Sequence, residues 1–240
     1  MQMDYDMKVR AELEAWERKI YKKNRMINRY MKSIQTKIND KIPERVHHVI
    51  TVSIKQMVKA VLFGSEYTTN REPLRNVSFE EREAMVKEKV KAYQRVASLE
   101  GAGTGAGGLL LGAADFPLLL SIKMKFLFDA ASLYGFNVHD YRERVYLLLL
   151  FQLAYSRDEK RIKVYEALKN WAITSSRITT ESFDWQTWQQ EYRDHIDLIK
   201  LLQLIPGFGA IVGAWANFKL LDELGETTMN GYRMRVYNEN

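Results

Sequence analysis

Residues Val9 to Ile38 read VRAELEAWERKIYKKNRMINRYMKSIQTKI, and their apolar positions fall at Val9, Leu13, Trp16, Ile20, Ile27, Tyr30, Ile34 and Ile38. This is a 4-3 spacing whose one polar interruption is Lys23, the stripe of a helix that packs lengthwise on a partner. A helix from Tyr5 to Asp40 would run about 50 Å at roughly 1.5 Å per residue, longer than an ordinary globular helix, so the rest of the chain has to supply the surface it covers. The same helical period recurs in nearly every later segment, whereas strict apolar/polar alternation bounded by turn residues is hard to find. The expected fold class is therefore all-α: a single helical bundle with a long N-terminal helix and two central Gly-rich apolar helical segments.

Punctuation residues divide the remainder. Pro43 ends the first helix and suits the first turn of a second, Glu44 to Phe63, with Val46, Val49, Ile50, Ile54, Met57 and Val61 inward and Gly64 as its stop. Residues 64–77 lack periodicity and read as an internal loop. Ser78-Phe79-Glu80-Glu81 has the form of a capping box and opens a helix to Leu99. Another helix is expected from Asp140 to Tyr155, apolar all round at Tyr146 to Phe151 and hence buried. Ser156-Arg157-Asp158-Glu159 repeats the capping signature and opens a helix to Ser176. After a polar connection at 177–184, an amphipathic helix from Trp185 or Trp188 reaches Leu204, Pro206-Gly207 breaks it, and a last helix runs from Gly209 to Met229. In domain terms, 1–42 is a long basic amphipathic helix and 43–240 a helical domain containing the loop at 64–77.

Composition removes several kinds of chemistry. The chain has 240 residues and no cysteine, so disulfides, thiolate metal sites and a thiol nucleophile are excluded. It has four histidines, His47, His48, His139 and His195, and no His-Glu-x-x-His, so neither a metal nor a cofactor is expected. Met1 to Arg10 carries Asp4 and Asp6 and no apolar core, unlike a secretory signal, and mean hydropathy is −0.35; the expected location is cytoplasmic, peripheral at the inner face of the cell membrane. Arg18 to Lys41 holds nine Lys or Arg against the single acid Asp40, a local surplus larger than the net +6 of the whole chain. Any attraction to a polyanion begins there, at Lys22, Lys23, Arg25 and Arg29. The blander alternative is a solvated helix face.

Glu100 to Leu120, EGAGTGAGGLLLGAADFPLLL, is the least ordinary stretch, with six glycines among the twelve residues from Gly101. Gly103 to Gly108 matches the dinucleotide fingerprint G-x-G-x-x-G, but a helical pattern rather than a strand precedes it, and no Gly-Lys-Ser/Thr follows to make a phosphate loop. Gly101/Gly105, Gly103/Gly107 and Gly108/Gly112 are four apart, a spacing that lets another helix approach closely. Leu198 to Leu221 echoes it, with Pro206-Gly207, Gly209/Gly213 and Ala210/Ala214. Both segments approach membrane-spanning length, yet each has a polar break: Asp115 with Pro117 in one, Lys200, Gln203 and Asn217 in the other. Buried central helices, a hairpin dipping into a membrane, and true spans all remain open. Asp115 is read as the cap of a helix beginning at Phe116, with pairing to a buried base or to a ligand as the alternative.

Glu100-Gly101, the run Gly103 to Gly108, Ala114-Asp115-Phe116-Pro117, Tyr134-Gly135-Phe136, and Arg144 with Tyr146 resemble the EcsC family in order and spacing. Pro206-Gly207-x-Gly209-Ala210-x-x-Gly213-Ala214-x-x-Asn217 and the closing Tyr232-Arg233-x-Arg235 are similar to its C-terminal signature, so the resemblance covers about residues 40 to 237. It implies a protein whose gene lies beside those of an ABC transporter's ATPase and membrane subunits, in a system tied to secretion and processing of exported proteins. No catalytic residue carries over.

Three functional classes compete. In the favoured one the protein is a non-enzymatic membrane-surface accessory of a transporter, attached to anionic headgroups through Lys22, Lys23, Arg25 and Arg29, with Gly103, Gly105, Gly108, Asp115, Pro206, Gly207, Gly209 and Gly213 in its apolar contact segments. The alternative is a soluble helical module that encloses a lipid or other apolar ligand, with Asp115 facing its headgroup. A hydrolase is the third, built from Asp115, Asp129, Glu143, His139 and Asp140, but no nucleophile–base spacing and no Gly-x-Ser-x-Gly supports it. Trp16 and Tyr30 belong to the packing stripe and cannot serve as a base-stacking platform, so no nucleic-acid partner is expected.

Overall fold

A computed structural model describes residues 2–22, 44–63, 74, 76–104, 116–156, 158–178 and 210–238. Every element among them is a helix: α1 Gln2–Tyr21, α2 Glu44–Phe63, α3 Phe79–Thr104, α4 Phe116–Tyr134, α5 Tyr141–Tyr155, α6 Asp158–Lys169, α7 Trp171–Ser176 and α8 Ala210–Asn238. The class is all-α, and α2 has the limits its apolar period and Pro43 require.

Helix α1 behaves as its spacing dictates, with Val9, Trp16 and Ile20 buried and most of the intervening charges in solvent. This stripe lies against α8 and α6. Trp16 and Tyr21 both meet the Tyr165 ring edge-on, with centroids 5.7 and 5.6 Å away. Burying a large apolar side chain stabilises by about 1.5–3 kcal/mol, so three such anchors hold the helix without help from its salt bridges. The continuation from Ile27 to Ile38 lies outside the described residues.

Ser78 caps α3 as its sequence signature requires: the Glu81 amide donates to Ser78 Oγ at 3.3 Å and the Ser78 amide donates to Glu81 Oε2 at 3.0 Å. The same exchange holds the exposed Glu81 carboxyl below its ordinary range, through the Ser78 hydroxyl first and the amide second. Where Leu99 was expected to end it, α3 continues through Gly101 and Gly103 to Thr104, so the glycine-rich stretch opens as helix. The second Ser-x-x-Glu signature is followed by two helices rather than one, because Asn170 leaves helical geometry (φ −102°, ψ 39°) while its side chain donates to the Glu166 carbonyl. No helix among the described residues is long and apolar enough to cross a membrane.

The main axis of the bundle is α8 against α3, with α4 packed on both, α5 packed on α8 and α4, and α2 covering α4 and α5. Close approach is set by glycines: a Cβ on Gly225 would lie 2.8 Å from Val90 Cγ2, and one on Gly231 would collide with Leu150. Gly135 ends α4 with φ +91°, a conformation that glycine adopts without steric cost. The core runs through all of these helices, and Tyr134, Tyr146, Tyr155 and Tyr232 are among its largest buried side chains. The last helix exceeds its expected end at Met229 by nine residues, to Asn238. Its apolar period fades there because the inward positions are Asn230, Tyr232 and Arg233, polar groups buried against partners.

Candidate functional site

Two polar clusters are built around this final turn of α8. Arg233 is 5% exposed and forms a fork on Glu83 of α3, with Nε 2.5 Å from Oε1 and Nη2 2.8 Å from Oε2. Glu12 of α1 lies 2.9 Å from the same guanidinium, and the Tyr5 hydroxyl donates to Glu83 at 2.7 Å. Helices α1, α3 and α8 are thereby tied at one point. The paired geometry is the kind in which a guanidinium matches a carboxylate's two oxygens.

Two residues along, Arg235 lies 2.5 Å from the buried Glu143 of α5, whose other oxygen accepts from the Tyr232 hydroxyl at 2.6 Å. The guanidinium stacks over Phe136 at 4.0 Å and Tyr146 at 4.8 Å, while Tyr232 lies against Tyr134 and Phe136, with centroids 4.7 and 5.0 Å apart. Tyr146 donates to the Gly231 carbonyl at 2.8 Å. Burial pushes the Glu143 carboxyl up, opposed by Arg235 and the Tyr232 hydrogen bond, and burial likewise drives the Tyr232 phenol well above its ordinary value. The signature segments Tyr134-Gly135-Phe136, Arg144 with Tyr146, and Tyr232-Arg233-x-Arg235 are thus drawn together from three parts of the chain. Arg144 completes the group by donating to the Leu62, Val138 and His139 carbonyls, binding α5 to the end of α2.

Of the acids weighed as hydrolytic groups, the three that are described each have a separate set of partners. Asp129 accepts from Tyr93 at 3.0 Å and pairs with Lys89 and Lys125; Glu143 belongs to the cluster just described; Asp140 caps α5 by accepting from the Arg142 amide at 2.9 Å. His139 is exposed. Each carboxylate is engaged by a partner that fixes a helix, and among the described residues no three His, Asp or Glu gather closely enough to hold a metal ion.

A different environment surrounds Lys123 on α4. It is 0% exposed, and its ammonium has no hydrogen-bond partner among the described residues. On its helix it occupies the middle of an apolar face made by Phe116, Leu119, Leu120, Phe126 and Leu127, all of them buried. Burial in that setting pushes its pKa down to about 7. Sequence reasoning passed over this residue, although one signal was present: a single cation centred in an otherwise apolar helical stripe.

Of the residues expected to form contacts, Lys22 is exposed just beyond α1, Gly103 lies near the end of α3, and Gly213 lies in α8. Lys23, Arg25, Arg29, Gly105, Gly108, Asp115, Pro206, Gly207 and Gly209 lie outside the described residues. The described helix α1 is itself balanced, with Asp4, Asp6, Glu12, Glu14 and Glu17 against Lys8, Arg10, Arg18 and Lys19. The basic surplus therefore belongs to the sequence that follows it.

A profile of the EcsC protein family matches residues 7–236. Protein EcsC of Bacillus subtilis (strain 168) is 46% identical over 228 residues, which is 95% of this chain and 94% of that protein. A second protein of the same strain, "Uncharacterized protein YdbA", is 31% identical over 147 residues, 60% of this chain and 54% of its own length. No solved structure matches the chain.

Proposed function

The chain belongs to the EcsC protein family, and from that premise we propose that it is a non-enzymatic accessory protein of the inner membrane surface, working beside the subunits of an ABC transporter. Its attachment is electrostatic, through Lys22, Lys23, Arg25 and Arg29 and the cations around them, each adding about 1 kcal/mol of attraction at an anionic surface. The Gly-rich stretches 101–120 and 201–221 supply the apolar contact, to lipid or to a transporter subunit.

The observation that carries this reading is the division of charge. Asp129, Asp140 and Glu143 are occupied in holding helices together, whereas the positive surplus of the sequence is concentrated between Arg18 and Lys41. Flotation of the purified protein with neutral and anionic liposomes tests it. Replacing Lys22, Lys23, Arg25 and Arg29 by Gln should release the protein from anionic vesicles while leaving its helical content unchanged; equal flotation of the variant would reduce the basic segment to a solvated face. Binding lost in high salt would mean electrostatic headgroup attachment, whereas binding that survives an alkaline wash would mean that the Gly-rich segments insert.

A second reading, a helical module that encloses a lipid or other apolar ligand, is favoured by one feature alone. Lys123 places an unpartnered ammonium in apolar surroundings.

A further inference from the structure

We propose that Lys123 receives the anionic head of an amphiphile, a carboxylate or phosphate carried on an alkyl chain, on the buried apolar face of α4. The inference rests on the apolar-ligand reading above and gives that reading a defined polar contact.

Side chains on an α-helix lean toward its amino end, so the turn that a side chain at position 123 covers is that of Leu119 and Leu120. The other buried charges among the described residues are balanced: Glu83 by Arg233, Glu143 by Arg235, Asp129 by Lys89 and Lys125. The ammonium of Lys123 has no such partner among the described residues. An anion placed beside it would supply that partner.

The same surroundings choose among anions. Phe116, Leu119, Leu120, Phe126 and Leu127 form the face on which Lys123 lies, and all are buried. A free hydrated ion would give up its water there for a single ammonium, a large desolvation cost. An anion whose other end is a hydrocarbon chain recovers that cost by covering apolar surface.

The test titrates the intrinsic tryptophan fluorescence of the full chain with oleate, with oleyl alcohol of the same chain length, and with inorganic phosphate. Oleate should bind about tenfold more tightly than the alcohol, the increment expected of one charge-assisted contact. Phosphate should leave the signal unchanged. In Lys123→Met the preference should vanish while alcohol binding persists, and the ligand-free variant should melt above the wild type. Equal binding of oleate and alcohol by the wild type would overturn the assignment of Lys123 and leave the apolar-ligand reading standing, whereas no binding of either would overturn both. Phosphate binding as strong as that of oleate would replace the amphiphile by a free anion. A Lys123→Met protein that melts below the wild type would mean that the charge already has a partner within the chain, and would also overturn the proposal.

Discussion

Arg233 on α8 and Lys123 on α4 are both buried cations, and their surroundings are opposite. The guanidinium is met by Glu83, Glu12 and the Asn230 side chain, so removing either end of the main pair leaves a charge in a place where water cannot reach it. The ammonium has no hydrogen-bond partner among the described residues and sits on a helix face of leucine and phenylalanine. Because a buried charge costs several kcal/mol unless it is compensated, the first arrangement reads as architecture and the second as a site held ready for something else. The contrast also sorts the family signature. Its tyrosines Tyr134, Tyr146 and Tyr232, with Arg144 and the closing Arg233 and Arg235, are accounted for by contacts that join helices.

The most severe way to break this comparison is Arg233→Met, which strands Glu83 at 0% exposure. A loss of about 3–5 kcal/mol in urea unfolding is expected, with Glu83→Gln in the same background restoring part of it. Next in size is Lys123→Met, which removes an uncompensated charge and leaves volume nearly unchanged; a gain of about 2 kcal/mol is expected.

That gain should depend on pH in a defined direction. The ammonium has a pKa of about 7 when folded against about 10.5 when unfolded, so the unfolded chain binds a proton that the folded chain lacks. Wild-type stability should therefore rise with pH from 7 to 10, and the rise should be absent in Lys123→Met. Burial pushes the Tyr134 and Tyr232 phenols upward from 10.0 and the Glu143 carboxyl upward from 4.5, and these groups are unchanged in Lys123→Met, so the comparison of the two proteins isolates Lys123. The smallest effect is expected from Ser78→Ala, which removes the hydroxyl that accepts the Glu81 amide and should cost about 1 kcal/mol in thermal unfolding.

How far the sequence could be read follows from the same contrast. Where burial is apolar, the helical period is plain, and Val9, Trp16, Ile20, Ile50, Ile54, Met57 and Val61 are all buried as expected. Where burial is polar and paired, the period disappears from view, which is why α8 reads as ending at Met229 although Tyr232 and Arg233 are core residues. Pairing between Glu83 and Arg233, 150 residues apart, has no local signature. Lys123 was legible in principle but resembles any surface lysine until the helix around it is known to be buried on that face. The contact residues proposed at Lys23, Arg25, Arg29, Asp115 and Pro206 belong to segments beyond the described helices, and membrane experiments address them directly.

One measurement tests the central claim, that partnered buried charge is scaffold and unpartnered buried charge is site. It is the ligand-free thermal unfolding of Arg233→Met and Lys123→Met side by side at pH 7. Shifts of opposite sign, downward for Arg233→Met and upward for Lys123→Met, are predicted. A downward shift in both would contradict the account, because Lys123 would then be a scaffold residue like the rest.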